Sequence, residues 1–170
     1  MLDIRRAEPK DIPQLREISI ETQMDTFADQ NTPEVMEAHV EVMFNPVTFE
    51  SDFYAPDSAY YIAWEGNEMA GFSRVRITDE AAEHLGSNAL ELHRIYVTRV
   101  FQGKGIGYAL MKHAIDYARE RKFEWLWLGV WEKNIKAQEF YAKCGFERFA
   151  EHIYMMGHEP QNDWLLKFKL

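Results

Sequence analysis

The sequence predicts an α/β (α+β) architecture: a mixed, strongly twisted central sheet of about seven strands flanked by helices on both faces. Three observations predict it. Short apolar runs of strand character are interleaved with stretches of helical period, in the order β-α-α-β-β-β-α-β-α-β-β over 170 residues. Glu65-Gly66-Asn67-Glu68 carries the residues of a tight turn, so the strands on either side form an antiparallel hairpin. The run Trp125-Leu126-Trp127-Leu128-Gly129-Val130 is apolar almost throughout, as a strand covered on both faces must be. Length and composition suit a single domain spanning 1–170, with no repeats and no linker.

Each element has a local reason. Ile4 opens a short strand that stops at Glu8-Pro9, and a helix fits from Asp11 to about Thr22, where Ile12, Leu15 and Ile18 recur at helical spacing. Thr32-Pro33-Glu34 starts a second helix, with Thr as N-cap and Pro in the first turn, and Met36, Val40 and Met43 on one face; Asn45-Pro46 ends it. Ala59–Trp64 and Met69 to about Ile77 are the hairpin strands. Residues 79–89 are polar and loop-like. Leu90–Val97 is a strand, and Ile106 to about Lys122 a helix with Leu110, Ala114 and Tyr117 in one stripe. A short helix fits Asn134–Lys143, a strand Phe146–Ala150, and Trp164–Phe168 closes the chain.

Composition excludes several classes. With 46% hydrophobic, 14% aromatic and 28% charged residues, nine Gly and six Pro, the chain is neither disordered nor low-complexity. Cys144, standing alone, forms no intrachain disulfide and no cysteine zinc cage. No apolar stretch near Met1 or elsewhere has the length of a leader core or a membrane span, so a cytoplasmic protein without membrane contact is expected. The net charge of −9 is unevenly distributed: residues 1–89 hold eighteen acids against six bases, residues 90–170 ten against thirteen. Most of such a surface repels phosphate, so no nucleic-acid partner is expected. The acidic half either serves solubility or attracts a cationic ligand.

One segment carries ligand chemistry. Ile95-Tyr96-Val97 ends a strand, Gln102-Gly103-Lys104-Gly105-Ile106-Gly107 comes next, and then the long helix begins. Glycines at alternate positions remove Cβ atoms where the backbone turns and where a ligand would touch it. The first amides of the helix have no intrahelical partner and sit at its positive end, which makes a seat for a phosphate or pyrophosphate, with Lys104 adding charge. A tight turn without ligand is the other reading. The loop is not a P-loop, which needs Gly-Lys-Ser/Thr, nor a dinucleotide fingerprint, which would need Gly where Tyr108 stands.

A second block lies beyond the buried strand: Asn134-x-x-Ala137-x-x-Phe140-Tyr141-x-x-x-Gly145-Phe146, beginning 27 residues beyond Gly107. The two blocks, in this order and spacing, resemble the GNAT superfamily of acetyl-CoA-dependent N-acetyltransferases, and the resemblance extends over essentially the whole chain. The stretches Glu21–Phe27, Gln30–Glu34 and Trp127–Asn134 resemble its bacterial PaiA-type branch, whose members are spermidine/spermine N-acetyltransferases.

The resemblance implies a GNAT fold and a set of roles. The amides of Gln102–Gly107 would bind the pyrophosphate of CoA, and the pantetheine arm would lie along Ile95, Tyr96 and Val97 like an added strand. A main-chain N–H near Val97 would polarise the thioester carbonyl. Asn134 would hydrogen-bond the arm. Lys136, Lys143 and Arg99 are either contacts for the remaining phosphate or ordinary solvated charges. Tyr141 would protonate the departing thiolate, being neutral at pH 7 with an ordinary pKa of about 10; otherwise it is a core aromatic. For the base, the family's glutamate position is taken here by His93, with Glu91 two residues earlier; His93, Glu91 through water, or solvent would take the amine proton. Strand parity places Glu91, His93, Ile95 and Val97 on one face. Asp25, Phe27, Asp29 and Tyr154 are the expected acceptor contacts, with Glu34 and Glu37 as further acids.

The expectation is direct acetyl transfer from acetyl-CoA to a primary amine, a polyamine first, without a metal. Protein N-termini, aminoglycosides or other small amines are alternatives, as is a non-catalytic module that senses acetyl-CoA or polyamine. A homodimer is compatible with the resemblance.

Overall fold

Strand β1 (Leu2–Arg6) opens the chain, and the computed structural model describes all residues 1–170. Helices α1 (Ile12–Phe27), α2 (Pro33–Phe44) and α3 (Pro46–Phe53) come next. Thr32 accepts a hydrogen bond from the Val35 amide and Asn45 from the Thr48 amide, and each cap is followed by a proline, which loses no intrahelical bond there. Asn45-Pro46 therefore starts α3 as well as ending α2, which corrects the expectation of a stop alone. Helix α1 also runs past Thr22 to Phe27. The hydroxyls of Thr22 and Thr26 fold back onto the carbonyls of Ile18 and Thr22 at 2.8 and 2.7 Å, so neither interrupts it.

The hairpin of β2 (Ser58–Glu65) and β3 (Glu68–Arg76) is as expected. One helical turn, α4 (Ala82–Leu85), lies within the stretch expected to be loop. Then come β4 (Ala89–Val97), α5 (Ile106–Glu120), β5 (Trp125–Trp131) and α6 (Ile135–Lys143). The last two strands, β6 (Glu147–Met156) and β7 (Glu159–Lys169), are much longer than expected. They are joined by Gly157-His158, where Gly157 has φ +60° and lies so close to α2 that a Cβ would meet the Val35 carbonyl at 2.8 Å.

The seven strands are ordered β1-β2-β3-β4-β5-β7-β6, with only β4 and β5 parallel. Helix α5 covers one face through Leu90, Leu92, Met111, Ala114, Leu126 and Leu128, each burial contributing about 1.5–3 kcal/mol for the larger side chains. Helices α1–α3 cover the other through Leu15, Ile18, Phe44, Phe49, Ile62 and Phe72. No helix is long and apolar enough to cross a membrane.

Two irregularities in β4 open the middle of the sheet. Its pairing with β5 runs from Ala89–Trp125 to Glu91–Trp127 and stops, so the two strands part beyond that point. Its pairing with β3 slips by one residue between Arg94 and Leu92, leaving His93 as a bulge.

Candidate active site

Where β4 and β5 part, a cleft of about 1480 Å³ opens, walled by α1 and α2, the ends of both strands, the start of α5, α6 and the β6–β7 hairpin. Its main-chain edge is set by the β3–β4 ladder. The Thr98 amide donates to the Ala70 carbonyl at 2.9 Å, so Thr98 and, by antiparallel alternation, Tyr96 direct their backbone groups toward β3. Ile95 and Val97 direct theirs toward the gap. One acceptor there is already engaged: the Val97 carbonyl takes a hydrogen bond from Gln102 Nε2 at 3.2 Å.

The glycine loop stands at the far end of this edge. Gly103 and Gly105 have φ of +75° and +81°, and nothing lies within 4 Å of where a Cβ would be on either. Gly105 is the N-cap of α5 and offers no side chain, so the first amides of a fifteen-residue helix face open space. An anionic diphosphate fits this seat. Gly107 instead packs: its missing Cβ would lie 3.5 Å from the Phe140 ring. Lys136 reaches the loop, its Nζ donating to Gln102 Oε1 at 3.1 Å. Lys104 does not line the cleft and lies over the Phe101 ring at 4.8 Å; Lys143, in the last turn of α6, is likewise outside it. Lys143 is therefore corrected as a cleft contact, because α6 carries it away from the loop, whereas Lys104 stays on the loop itself, between Gly103 and Gly105. Asn134 caps α6, its Oδ1 accepting from the Ala137 amide at 3.3 Å, which leaves its amide nitrogen for the cleft.

Tyr141 reaches the gap from the α6 side, packed between Phe140 and Phe146. Burial pushes its phenol pKa upward, with Tyr96 adding to the effect, so it holds its proton. Burial also pushes Tyr96 up to about 12. The Cys144 thiol is raised by burial as well and does not line the cleft.

The opposite end is built from charged side chains on the α1–α3 face. The bulge at His93 reverses the parity of β4. Leu90, Leu92, Ile95 and Val97 all pack toward α5, whereas Glu91 meets Arg76, Arg94 meets Phe44 and Tyr96 meets Phe72 on the other face. The expectation that Glu91 and His93 share a face with Ile95 and Val97 is therefore wrong, since one inserted residue turns the strand over.

Glu91 is buried and held by a bidentate pair with Arg76; burial raises its pKa, partly offset by that pair. His93 Nδ1 lies 3.1 Å from Arg74 Nη1, and since arginine can only donate, Nδ1 is the acceptor and Nε2 carries the proton. Burial first, then Arg94, Arg76 and Arg74, holds the His93 pKa well below 6.5. A proton arriving at His93 would break its bond to Arg74 and place a cation among three others.

Sequence reasoning missed a second histidine. His152 of β6 stands 3.5 Å from Asp163 of β7, and the space above Gly129, where β5 leaves β4, opens onto both: a Cβ there would be 3.5 Å from Asp163 and 3.7 Å from His152. Asp163 raises the His152 pKa, burial opposing it. The signal was weak, because neither residue lies in a stretch with a readable period and the two pair only through the β6–β7 register. Of the expected acceptor contacts, Asp25 pairs with Arg99 at 3.0 Å, Phe27 packs on Trp131 at 5.9 Å, Tyr154 lies edge-on to His39, and Asp29 is exposed at the rim. All four line the cleft.

A diphosphate seat at a helix start, beside a gap between parting parallel strands and a buried tyrosine, defines a CoA-thioester acyltransferase. The model of the acetyltransferase (GNAT) family matches residues 16–146, and the chain belongs to that family. It is an acetyl-CoA-dependent N-acetyltransferase. An uncharacterized N-acetyltransferase in the pepI 3′ region of Lactobacillus delbrueckii subsp. lactis is 38% identical over 96% of this chain and 95% of the relative. A spermine/spermidine N(1)-acetyltransferase of Bacillus subtilis is 30% identical over 58% of this chain and 62% of the relative. Among solved structures, the PaiA N-acetyltransferase of Thermoplasma acidophilum in complex with coenzyme A shares the fold, with a TM-score of 0.81 at 20% identity over 100% of this chain and 99% of that one.

Proposed function

We propose that the protein transfers the acetyl group directly to the primary amine of a small molecule, with no acyl-enzyme. The observation that carries this reading is the parting of β4 from β5: one gap is reached by the phosphate seat and Tyr141 from one side and by the charged network from the other. No cysteine nucleophile stands in it, Cys144 being outside and held protonated.

Bound acetyl-CoA supplies an activated thioester. The chain holds its diphosphate on the amides that open α5 and aligns its arm with Ile95 and Val97, and a free N–H of that edge stabilises the charge developing on the acetyl oxygen. His152, steadied by Asp163, takes a proton from the acceptor ammonium. The amine nitrogen bonds to the acetyl carbon, the carbon–sulfur bond breaks, and Tyr141 gives its proton to the thiolate. The proton the new amide sheds returns through solvent to the phenolate. Net, one proton is released per turnover.

Spermidine and spermine are a second reading, favoured by the name of the Bacillus relative and by the acids at the rim. A polycation would find Asp25 engaged by Arg99 and Glu91 by Arg76, which leaves Asp29 and, beside Arg76, Glu80. The test is thiol release from acetyl-CoA across a panel of primary amines that includes both polyamines, with CoA binding followed by calorimetry. Turnover of at least one small amine is expected. Absence of binding heat at millimolar CoA and low salt would overturn the reading.

A further inference from the structure

Arg94 is 6% exposed, lines the cleft and forms no ion pair. Its one hydrogen bond runs from Nη1 to the Tyr60 hydroxyl at 3.3 Å, and its guanidinium lies 4.6 Å from the centre of the Phe44 ring. The other buried arginine of the sheet, Arg74, has Asp52, and the neighbouring Arg76 has Glu91 and Glu80. No carboxylate faces Arg94: around it stand Phe44 and His39 from α2, Tyr60 from β2, Tyr154 from β6, His93 of its own strand and a second cation, Arg74 from β3. His39 is held uncharged, its pKa lowered to about 4 by burial and by Arg94 itself. The Asp163 and Glu91 carboxylates of the same cleft are turned to His152 and Arg76.

A buried cation is expensive unless it is paired, and one aromatic contact with one hydroxyl does not replace a counter-ion. The remaining guanidinium nitrogens have no protein partner and are not sealed from solvent, and Arg94 lines the cleft. The phosphates of the cosubstrate cannot complete it, because their seat lies beyond Val97 at the start of α5, with Ile95–Val97 between. The open donors are planar and forked, the shape that takes a carboxylate through two parallel hydrogen bonds.

We infer that Arg94 is the anion subsite of the acceptor pocket, and that the acceptor is a small amine which also bears a carboxylate, as an amino acid or a short peptide does. The inference rests on the proposed amine acetylation and narrows its substrate class. It sets the preferred acceptor apart from the polyamines, which have no anionic group to offer.

The experiment compares amines that differ only by the carboxylate: ornithine with putrescine, lysine with cadaverine, phenylalanine with phenethylamine, and glycylglycine as the peptide arm. Thiol release is expected to give a kcat/KM about 10²-fold higher for the carboxylated member of at least one pair, and Arg94→Gln to shrink that ratio to within about threefold, with Arg94→Lys between them. Glycylglycine turned over faster than the free amino acids would place the source of the carboxylate in peptides. Putrescine, cadaverine and phenethylamine each turned over within threefold of their partners by the native enzyme would overturn the inference while leaving amine acetylation standing. That comparison needs no variant, so a misfolded Arg94→Gln protein does not blunt it. Calorimetry with N-acetyl-ornithine separates the remaining cases. Binding that Arg94→Gln abolishes, without thiol release from any amine, supports the anion subsite and overturns the reaction. No binding and no release overturn both.

Discussion

At the cosubstrate end of the cleft, one short stretch of chain does nearly everything: Ile95 and Val97 present main-chain edges, Gly103 and Gly105 turn the backbone, and α5 begins with its amides open. At the acceptor end no stretch suffices. Arg76 comes from β3, Glu91 and Arg94 from β4, His39 from α2, His152 from β6 and Asp163 from β7. A site made of backbone recognises a part that every such cosubstrate shares, whereas a site made of side chains from many elements can be changed one residue at a time. On the proposed function, the first end sets the class of reaction and the second the choice of amine.

The largest effect expected bears on the junction of the two ends. Tyr141→Phe should lower kcat by about 10³-fold while the KM for acetyl-CoA changes little; a loss of threefold or less would reduce Tyr141 to packing.

Next in size is an acid sensitivity to which the acceptor end contributes through His39. His39 is neutral in the folded protein with a pKa near 4, against an ordinary 6.5 once unfolded, so the unfolded chain binds the extra proton between those values. Its contribution to stability is complete above pH 6.5 and falls by about 3 kcal/mol as pH drops through 4. Urea midpoints taken between pH 7 and pH 4 should show this slope, and His39→Gln, which can keep the bond to Gln23, should reduce it, with buried His93 supplying the remainder.

His152→Gln should lower kcat/KM by about 10²-fold at neutral pH. In the native protein activity should rise with pH through a pKa above 6.5, since Asp163 raises it and the base must be uncharged to act. The stabilisation from the His152–Asp163 pair runs the other way: it is full below 6.5 and is lost as pH rises through the folded-state value. A pH profile unaltered by Asp163→Asn would remove His152 from the mechanism.

At the cosubstrate end a side chain at Gly105 must adopt a left-handed backbone, at about 1–2 kcal/mol. Gly105→Val should weaken CoA binding about tenfold by calorimetry and leave the Arg94 and His152 effects unchanged. The smallest effect lies outside the cleft: Asn45→Ala should destabilise by about 1 kcal/mol, losing both the cap of α3 and the Nδ2 bond to the Glu41 carbonyl that closes α2.

The helices, the β2–β3 hairpin, the doubly covered β5 and the glycine loop were legible because each depends on neighbours in sequence: a cap, a period, a run of apolar residues, a φ that glycine alone adopts cheaply. Helix α3 was hidden because Asn45-Pro46 carries a stop and a start in the same two residues. Most of β6 and β7 was hidden because Ile153-Tyr154-Met155-Met156 is apolar on both faces, with Ile153 and Met155 exposed, and 157–163 is polar, so the stretch shows no alternation of strand period.

The order of residues alone was thus enough for a mixed sheet between helices and a phosphate seat at the start of α5, since local backbone preference and helix ends need no distant partner. Which charges meet the acceptor was left to the folded arrangement. One bulged residue at His93 turned the strand over, and the β6–β7 register brought His152 to Asp163; both are pairings between strands, and no local pattern in either strand encodes them.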